Sequence, residues 1–215
     1  VPYWPALMLP QGILIIFLFT ALHEATHETA FRSAWLNKTV AALCGFLVVI
    51  PPNWFRYFHF AHHRHTQDEE RDPELMAKKP ESWWDYVRYL SGVPSRGRSA
   101  VVVEARIMLA LYALLGIGSV YFQRTEVLWL WLVPVLIGQP FLRAYLLAEH
   151  ARCPLVANMF ENTRTTFTTA AIRFLAWNMP YHAEHHAYPV VPFHKLPALH
   201  RLTRAHLKTT ENGYL

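Results

Sequence analysis

Residues Ile107 to Phe122 and Val127 to Leu142 are two apolar runs separated only by Gln123, Arg124, Thr125 and Glu126. A third run, Pro5 to Leu22, lies near the start of the chain. Each extends a few residues into mixed flanks and so approaches the ~20 residues that carry a helix across a bilayer core. The later two runs read as a helical hairpin whose second arm is bent by Pro134 and Pro140. Of 20 Lys and Arg, only Arg124 lies in the hairpin turn. The basic segments on either side of the hairpin are therefore expected on the cytoplasmic face.

The fold class that follows is an all-α integral membrane protein with a cytoplasmic, histidine-rich helical cap. The composition agrees: 53% of residues are hydrophobic, 16% are charged, and the mean hydropathy is +0.12. That is less apolar than a pure helix bundle, as a polar cap requires. The net charge of +5 does not signal nucleic acid, because the chain has neither a basic run nor an RNA-binding signature. Cys44 and Cys153 match no disulfide framework or zinc-finger spacing and read as packing residues. No charged region precedes the first apolar run, so no signal peptide is expected. Residues 1–215 read as one membrane domain, and a start at Val1 is compatible with truncation at the N-terminus.

A fourth run, Val40 to Ile50, is too short to span and stops at Pro51-Pro52. The expectation is a re-entrant or interfacial helix pair, since a true crossing would put His23 and His59 on opposite faces. Ser82 to Ser99 mixes Trp83, Trp84, Tyr86 and Tyr89 with Arg88, Arg96 and Arg98, which suits a helix at headgroup level. From Pro192 onward the chain reads as a polar tail with a short amphipathic helix.

Three histidine clusters mark the ends of these segments. "HEATH" supplies His23 and His27, "HFAHH" supplies His59, His62 and His63, and "HAEHH" supplies His182, His185 and His186. Spacings of three and four share a helix face, so each cluster can aim its imidazoles at one point. His150 ends the third span on the same inferred side. Nine imidazoles exceed the needs of one ion and suit two, although imidazole serves Zn, Cu, Fe and Ni alike. His23-Glu24-Ala25-Thr26-His27 also matches H-E-x-x-H, the helix of zinc metalloproteases. A membrane zinc protease would leave two clusters and His150 unused. A metal transporter would carry ionisable groups deep in its spans rather than at their ends.

The order HxxxH, HxxHH, HxxHH, with a hairpin between the second and third boxes and an extra histidine before the last, resembles the membrane fatty acid desaturase and hydroxylase superfamily. "HFAHHRHTQDEERDPEL" and "NMPYHAEHHAYP" look most like the boxes of bacterial fatty acid desaturases. The resemblance implies two non-haem Fe ions, O2, a lipid or acyl-chain substrate and a separate electron donor of ferredoxin, rubredoxin or cytochrome type. It implies that His23, His27, His59, His62, His63, His150, His182, His185 and His186 hold the metal. It also implies a bacterial inner membrane with the active site on the cytoplasmic side. The expected reaction is desaturation of an acyl chain, with hydroxylation or ketolation of an alkane, carotenoid or sterol as the alternative. Leu146 stands where some animal desaturases place an asparagine that holds a metal-bound water.

Several other residues have plainer expectations. His65 can join the His62 face or pair with Asp68. His194, His200 and His206 read as solvated surface. Glu149, Glu184 and Asp72 can each accept an N–H from a ligating imidazole or serve as a surface charge. Arg143 is expected near the cytoplasmic end of its span, paired or snorkelling.

Overall fold

The computed structural model describes residues 4–75 and 99–214. The helix expected over Ser82 to Ser99 lies outside the described residues, apart from Ser99 itself. Among the described residues, three helical stretches are long and apolar enough to cross a membrane: Trp4–Thr26, Ser99–Tyr121 and Leu128–His150. Each matches one of the runs read from sequence to within one residue at one end or contains it, and outreaches it by several residues at the other, because the polar flanks continue the same helix.

The first span is α1 (Met8–Ile16) and α2 (Leu18–Thr26), offset at Phe17. It crosses the third span at two glycines. A Cβ on Gly12 would overlap the Pro134 carbonyl, and one on Gly138 would overlap the Gly12 carbonyl. Small residues let membrane helices approach to backbone contact, where dispersion replaces the missing hydrophobic driving force.

Next come α3 (Ala34–Val48) and α4 (Pro52–His65), which meet at 99°. The break is built from local chemistry. Val49 takes a left-handed conformation (φ 62°), the Ile50 N–H bonds the Gly45 carbonyl at 2.8 Å, and Pro51-Pro52 cannot continue α3. Gly45 is required here, since a Cβ would meet the Ile50 carbonyl oxygen at 2.5 Å. The pair therefore turns back, as the sequence led us to expect, and brings His59 beside His23 with ring centroids 4.4 Å apart.

The tip of α3 enters the hairpin formed by α5 (Ser99–Tyr121) and the third span. Phe46 packs against Tyr112 at 4.7 Å and stacks on Trp131 at 5.5 Å. The Tyr112 hydroxyl donates to the Phe46 carbonyl, and the Trp131 indole N–H donates to Leu47. Beside this wedge an apolar cleft of about 310 Å³ opens between the arms, lined by Leu115, Gly116, Leu128 and Leu132 among others. The third span begins with a π-helical stretch at Leu128–Leu132 and continues as α6 (Val133–His150). Pro134 lies two residues after the end of that stretch, and Pro140 lies within the helix without ending it.

Beyond α6 the chain builds a cap. α7 (Met159–Asn162) is capped by the Asn158 side chain and α8 (Ala170–Leu175) by Thr169. α9 (His182–Ala187) and α10 (Leu196–Thr203) follow. Two three-residue strands, β1 (Thr165–Phe167) and β2 (Thr210–Asn212), pair in parallel and tie the tail to the segment after α7. Cys44 and Cys153 are buried and unbonded to each other, as expected of packing residues.

This arrangement makes a labelling prediction. Thr125 lies exposed in the hairpin turn and Leu202 is 79% exposed on α10, with the third span between them. Cysteines introduced at the two positions should label from opposite faces of sealed vesicles. Equal labelling of both from one face would contradict the topology.

Candidate metal centre

α2, α4, α6 and α9 end or lie within reach of one small volume, and each delivers imidazoles to it. His23, His27, His59, His63 and His185 offer ring nitrogens that all lie within 4.8 Å of one another. His62, His150 and His186 form a second such group. His182 stands beside the second group, its Nε2 3.2 Å from that of His150. The structure thus gathers all nine sequence-derived histidines. It also divides the second and third boxes between two centres, which the box pattern did not reveal.

The spacing of the nitrogens fits an ion. His27 and His59 approach at 2.8 Å through their Nε2 atoms, His59 and His63 at 2.9 Å, and His62 and His150 at 3.2 Å. Two ligands at right angles on an ion–nitrogen bond of about 2.1 Å lie about 3 Å apart. Both ring nitrogens of His23 and of His185, and Nε2 of His186, are buried without a hydrogen-bond partner among the described residues. Buried polar atoms are rarely left unpaired, and here the missing partner is of the kind a metal supplies. The donor set is all imidazole in both groups, which suits a borderline transition metal.

Burial sets the protonation state. It lowers His27 to about 4, with Arg56 adding to the effect. Burial first, and neighbouring imidazoles second, hold His182, His185 and His186 well below the usual histidine value. At neutral pH these rings are uncharged and keep a lone pair free to coordinate.

Outer partners orient several rings. His62 donates from Nδ1 to the buried Asp72 carboxylate at 2.9 Å, which also accepts the Gln67 and Glu74 N–H groups. Nδ1 of His186 lies 3.1 Å from the Thr66 hydroxyl, which itself donates to the His62 carbonyl. Glu149 lies 3.4 Å from His182 Nδ1. The bonds to Asp72 and Thr66 fix which nitrogen of His62 and of His186 faces inward, the usual arrangement for metal-bound histidine. Arg164 holds the end of α6 by donating to the carbonyls of Ala148, at 2.5 Å, and Ala151.

Some residues depart from expectation. Glu184 turns away from the nine histidines and bonds His200 and Thr165 instead. His200 is consequently not a solvated surface residue, whereas His194 and His206 are exposed. Thr66 was missed, and its only signal was its position four residues after His62. Glu24 accepts from Thr29 and from the Phe193 N–H, and belongs to neither imidazole group. In a zinc protease that carboxylate would serve the metal-bound water. Arg143 is exposed on α6.

Fold and site together define a polytopic membrane protein carrying a paired polyhistidine centre on one side. The model of the fatty acid desaturase family matches residues 1–214, and the chain belongs to that family. It is 24% identical over 214 residues to a sphingolipid delta(4)-desaturase of Drosophila melanogaster, covering 90% of this chain and 64% of that protein. It is 24% identical over 177 residues to a Delta(12)-acyl-lipid-desaturase of Punica granatum, covering 81% and 43% respectively. With a Delta(12) fatty acid desaturase of Calendula officinalis it shares 25% identity over 121 residues, which is 56% of this chain and 31% of the relative. The chain thus spans less than two thirds of the length of these relatives. The family and the three membrane-length helices together make it an integral membrane protein of the desaturase family.

Proposed function

We propose that this chain holds two irons and, using O2, introduces a double bond into a fatty acyl chain. The observation that carries the reading is the division of eight imidazoles into two groups with ligand-like spacing, with His182 as the ninth beside the second. His23, His27, His59, His63 and His185 would hold one iron, and His62, His150, His186 and His182 the other. Iron bound there would supply O2 activation and hydrogen abstraction from an unactivated methylene. The protein's part is to keep the imidazoles neutral, to fix their tautomers through Asp72 and Thr66, and to keep water from a site whose rings are mostly buried. The spans would present the acyl chain from the bilayer. The relatives named above act, by their names, on acyl lipids, fatty acids and sphingolipids, which supports a long-chain substrate. Two electrons would come from a separate donor.

We place the centre on the cytoplasmic face of a bacterial inner membrane. The distribution of Lys and Arg and the flanks of the second and third boxes support that placement.

Metal analysis of protein produced in iron-rich medium should find two irons per chain. One tightly held zinc with no capacity for iron would overturn the reading and favour the protease. Feeding a deuterated saturated fatty acid should give loss of two deuteriums with a new double bond. A product that carries oxygen from labelled O2 would instead assign the chain to the hydroxylases and ketolases.

A further inference from the structure

The first and third boxes each contain a glutamate, and neither glutamate joins the imidazole groups. Both carboxylates are fully buried. Burying a charge is costly unless it is hydrogen-bonded, and each carboxylate finds partners outside the imidazole groups. Both point to the same piece of tail. Glu24 Oε1 accepts the Phe193 N–H at 2.9 Å, across 169 residues, and the Thr29 hydroxyl at 2.6 Å. Glu184 Oε1 accepts from His200 Nδ1 at 2.5 Å, while its Oε2 accepts the Thr165 hydroxyl, also at 2.5 Å.

The segment between these contacts is a 3₁₀ turn, Phe193–Lys195, followed by α10. It is itself anchored, because Leu196 is fully buried in the core that also contains Leu22 and Ala25 of α2. His200 packs its ring against Tyr181 at 4.8 Å and Phe167 at 5.7 Å, so it is held on the far side as well.

The need for such a brace follows from length. α9 has six residues, three of which are proposed ligands. A helix that short has no stability of its own in isolation. It must also aim His185 into one group and His186 into the other, so a small rotation of α9 disturbs both. On α9 the Glu184 side chain leaves roughly opposite His182 and His186, at the helical ~100° per residue. A bond at that position resists rotation about the helix axis.

We propose that His200 is a positioning residue which, through Glu184, holds the third box in register, and that Glu24 and the Phe193 amide do the same for the first. The tail segment Phe193–His200 is then a brace common to both boxes. The inference rests on the proposed metal centre, and its test separates the two claims.

The test is cobalt(II) titration of the purified full chain, followed by the visible absorption of the bound ion, with no turnover required. His200→Phe keeps the ring packing against Tyr181 and Phe167 but removes the donor to Glu184. His200→Asn removes the ring but keeps a donor where Nδ1 stood. Loss of a group bonded directly to a metal-bound histidine typically costs about 10- to 100-fold in metal affinity, and His200, which reaches the ligands only through Glu184, is expected at the low end of that range. We expect His200→Phe to weaken cobalt binding on that scale and to alter the absorption, and His200→Asn to stay within a few-fold of the parent. Glu184→Gln, which can keep both bonds, set against Glu184→Leu, which keeps neither, repeats the contrast from the other partner should a His200 variant fail to fold. If the parent binds two cobalt ions and all four variants bind as it does, the brace is refuted and the metal centre stands. If the phenylalanine is tolerated and the asparagine is not, His200 acts by packing and the proposal also fails. A parent chain that takes up no cobalt refutes both.

Discussion

Replacing His185 with alanine should leave the chain inserted in the membrane but catalytically silent. His185 is fully buried, belongs to the group of five imidazoles, and has no hydrogen-bond partner on either ring nitrogen among the described residues. Its nearest rings are His23 and His27, both at 4.7 Å, and His63 at 4.9 Å. Removing it takes a donor from the middle of that group and leaves a polar cavity among four imidazoles. Since outer partners alone are worth about 10- to 100-fold, loss of a ligand should exceed 100-fold in activity and lower the iron content of the first group. His194→Ala is the matched control, because His194 is exposed and lies outside both groups. The comparison is read by iron per chain and by double-bond formation in the same membranes. Full iron and full activity in the His185 variant would remove it from the ligand set.

The second large effect is expected at the crossing of the first and third spans. An added methyl at Gly138 would overlap the Gly12 carbonyl, and one at Gly12 would overlap the Pro134 carbonyl. The obstructing atoms are backbone, so no side-chain rotation relieves them. Overpacking of a tight core costs about 1–3 kcal/mol when neighbours can shift. Here whole helices must separate, and Gly138→Ala or Gly12→Ala should cost about 3 kcal/mol or more. Separation also shifts α2 relative to α6, and hence His23 and His27 relative to His150. Reduced folded yield and weaker metal retention should therefore appear together in detergent. Gly118→Ala supplies the contrast, since no described residue lies within 4 Å of its added methyl and helix propensity favours the change by about 0.5–1 kcal/mol. Equal thermal stability of the Gly118 and Gly138 variants would show that the crossing is looser than described.

The sequence was legible where one requirement dominated. The apolar runs had to become helices, and Pro51-Pro52 after a short run had to turn the chain back. Histidines at helical spacing had to share faces, so their convergence could be anticipated. Which histidine joins which partner could not, because periodicity names a face and says nothing of what it meets. His62 and His63 are neighbours in the chain, yet they serve different groups, and the same is true of His185 and His186. The outward turn of Glu184 was equally hidden. Its spacing in "HAEHH" sets it behind the ligands, but only α10 reveals that a histidine waits there. Phe46 as a wedge between the hairpin arms was likewise invisible, since an aromatic at the end of an apolar run looks the same whether it meets lipid or protein.

The scattering of the histidines along the chain also bears on biosynthesis. The group of five opens with His23 and is completed only by His185, and the second opens with His62 and is completed only by His186. The two sets finish one residue apart, after the three described spans have been synthesised. During translation the early imidazoles therefore emerge without their full complement, and a ribosome stalled anywhere upstream of α9 yields a product lacking both centres rather than one. Both groups therefore reach their full set of imidazoles together, once α9 has emerged, and a chain cut short before α9 carries neither set complete.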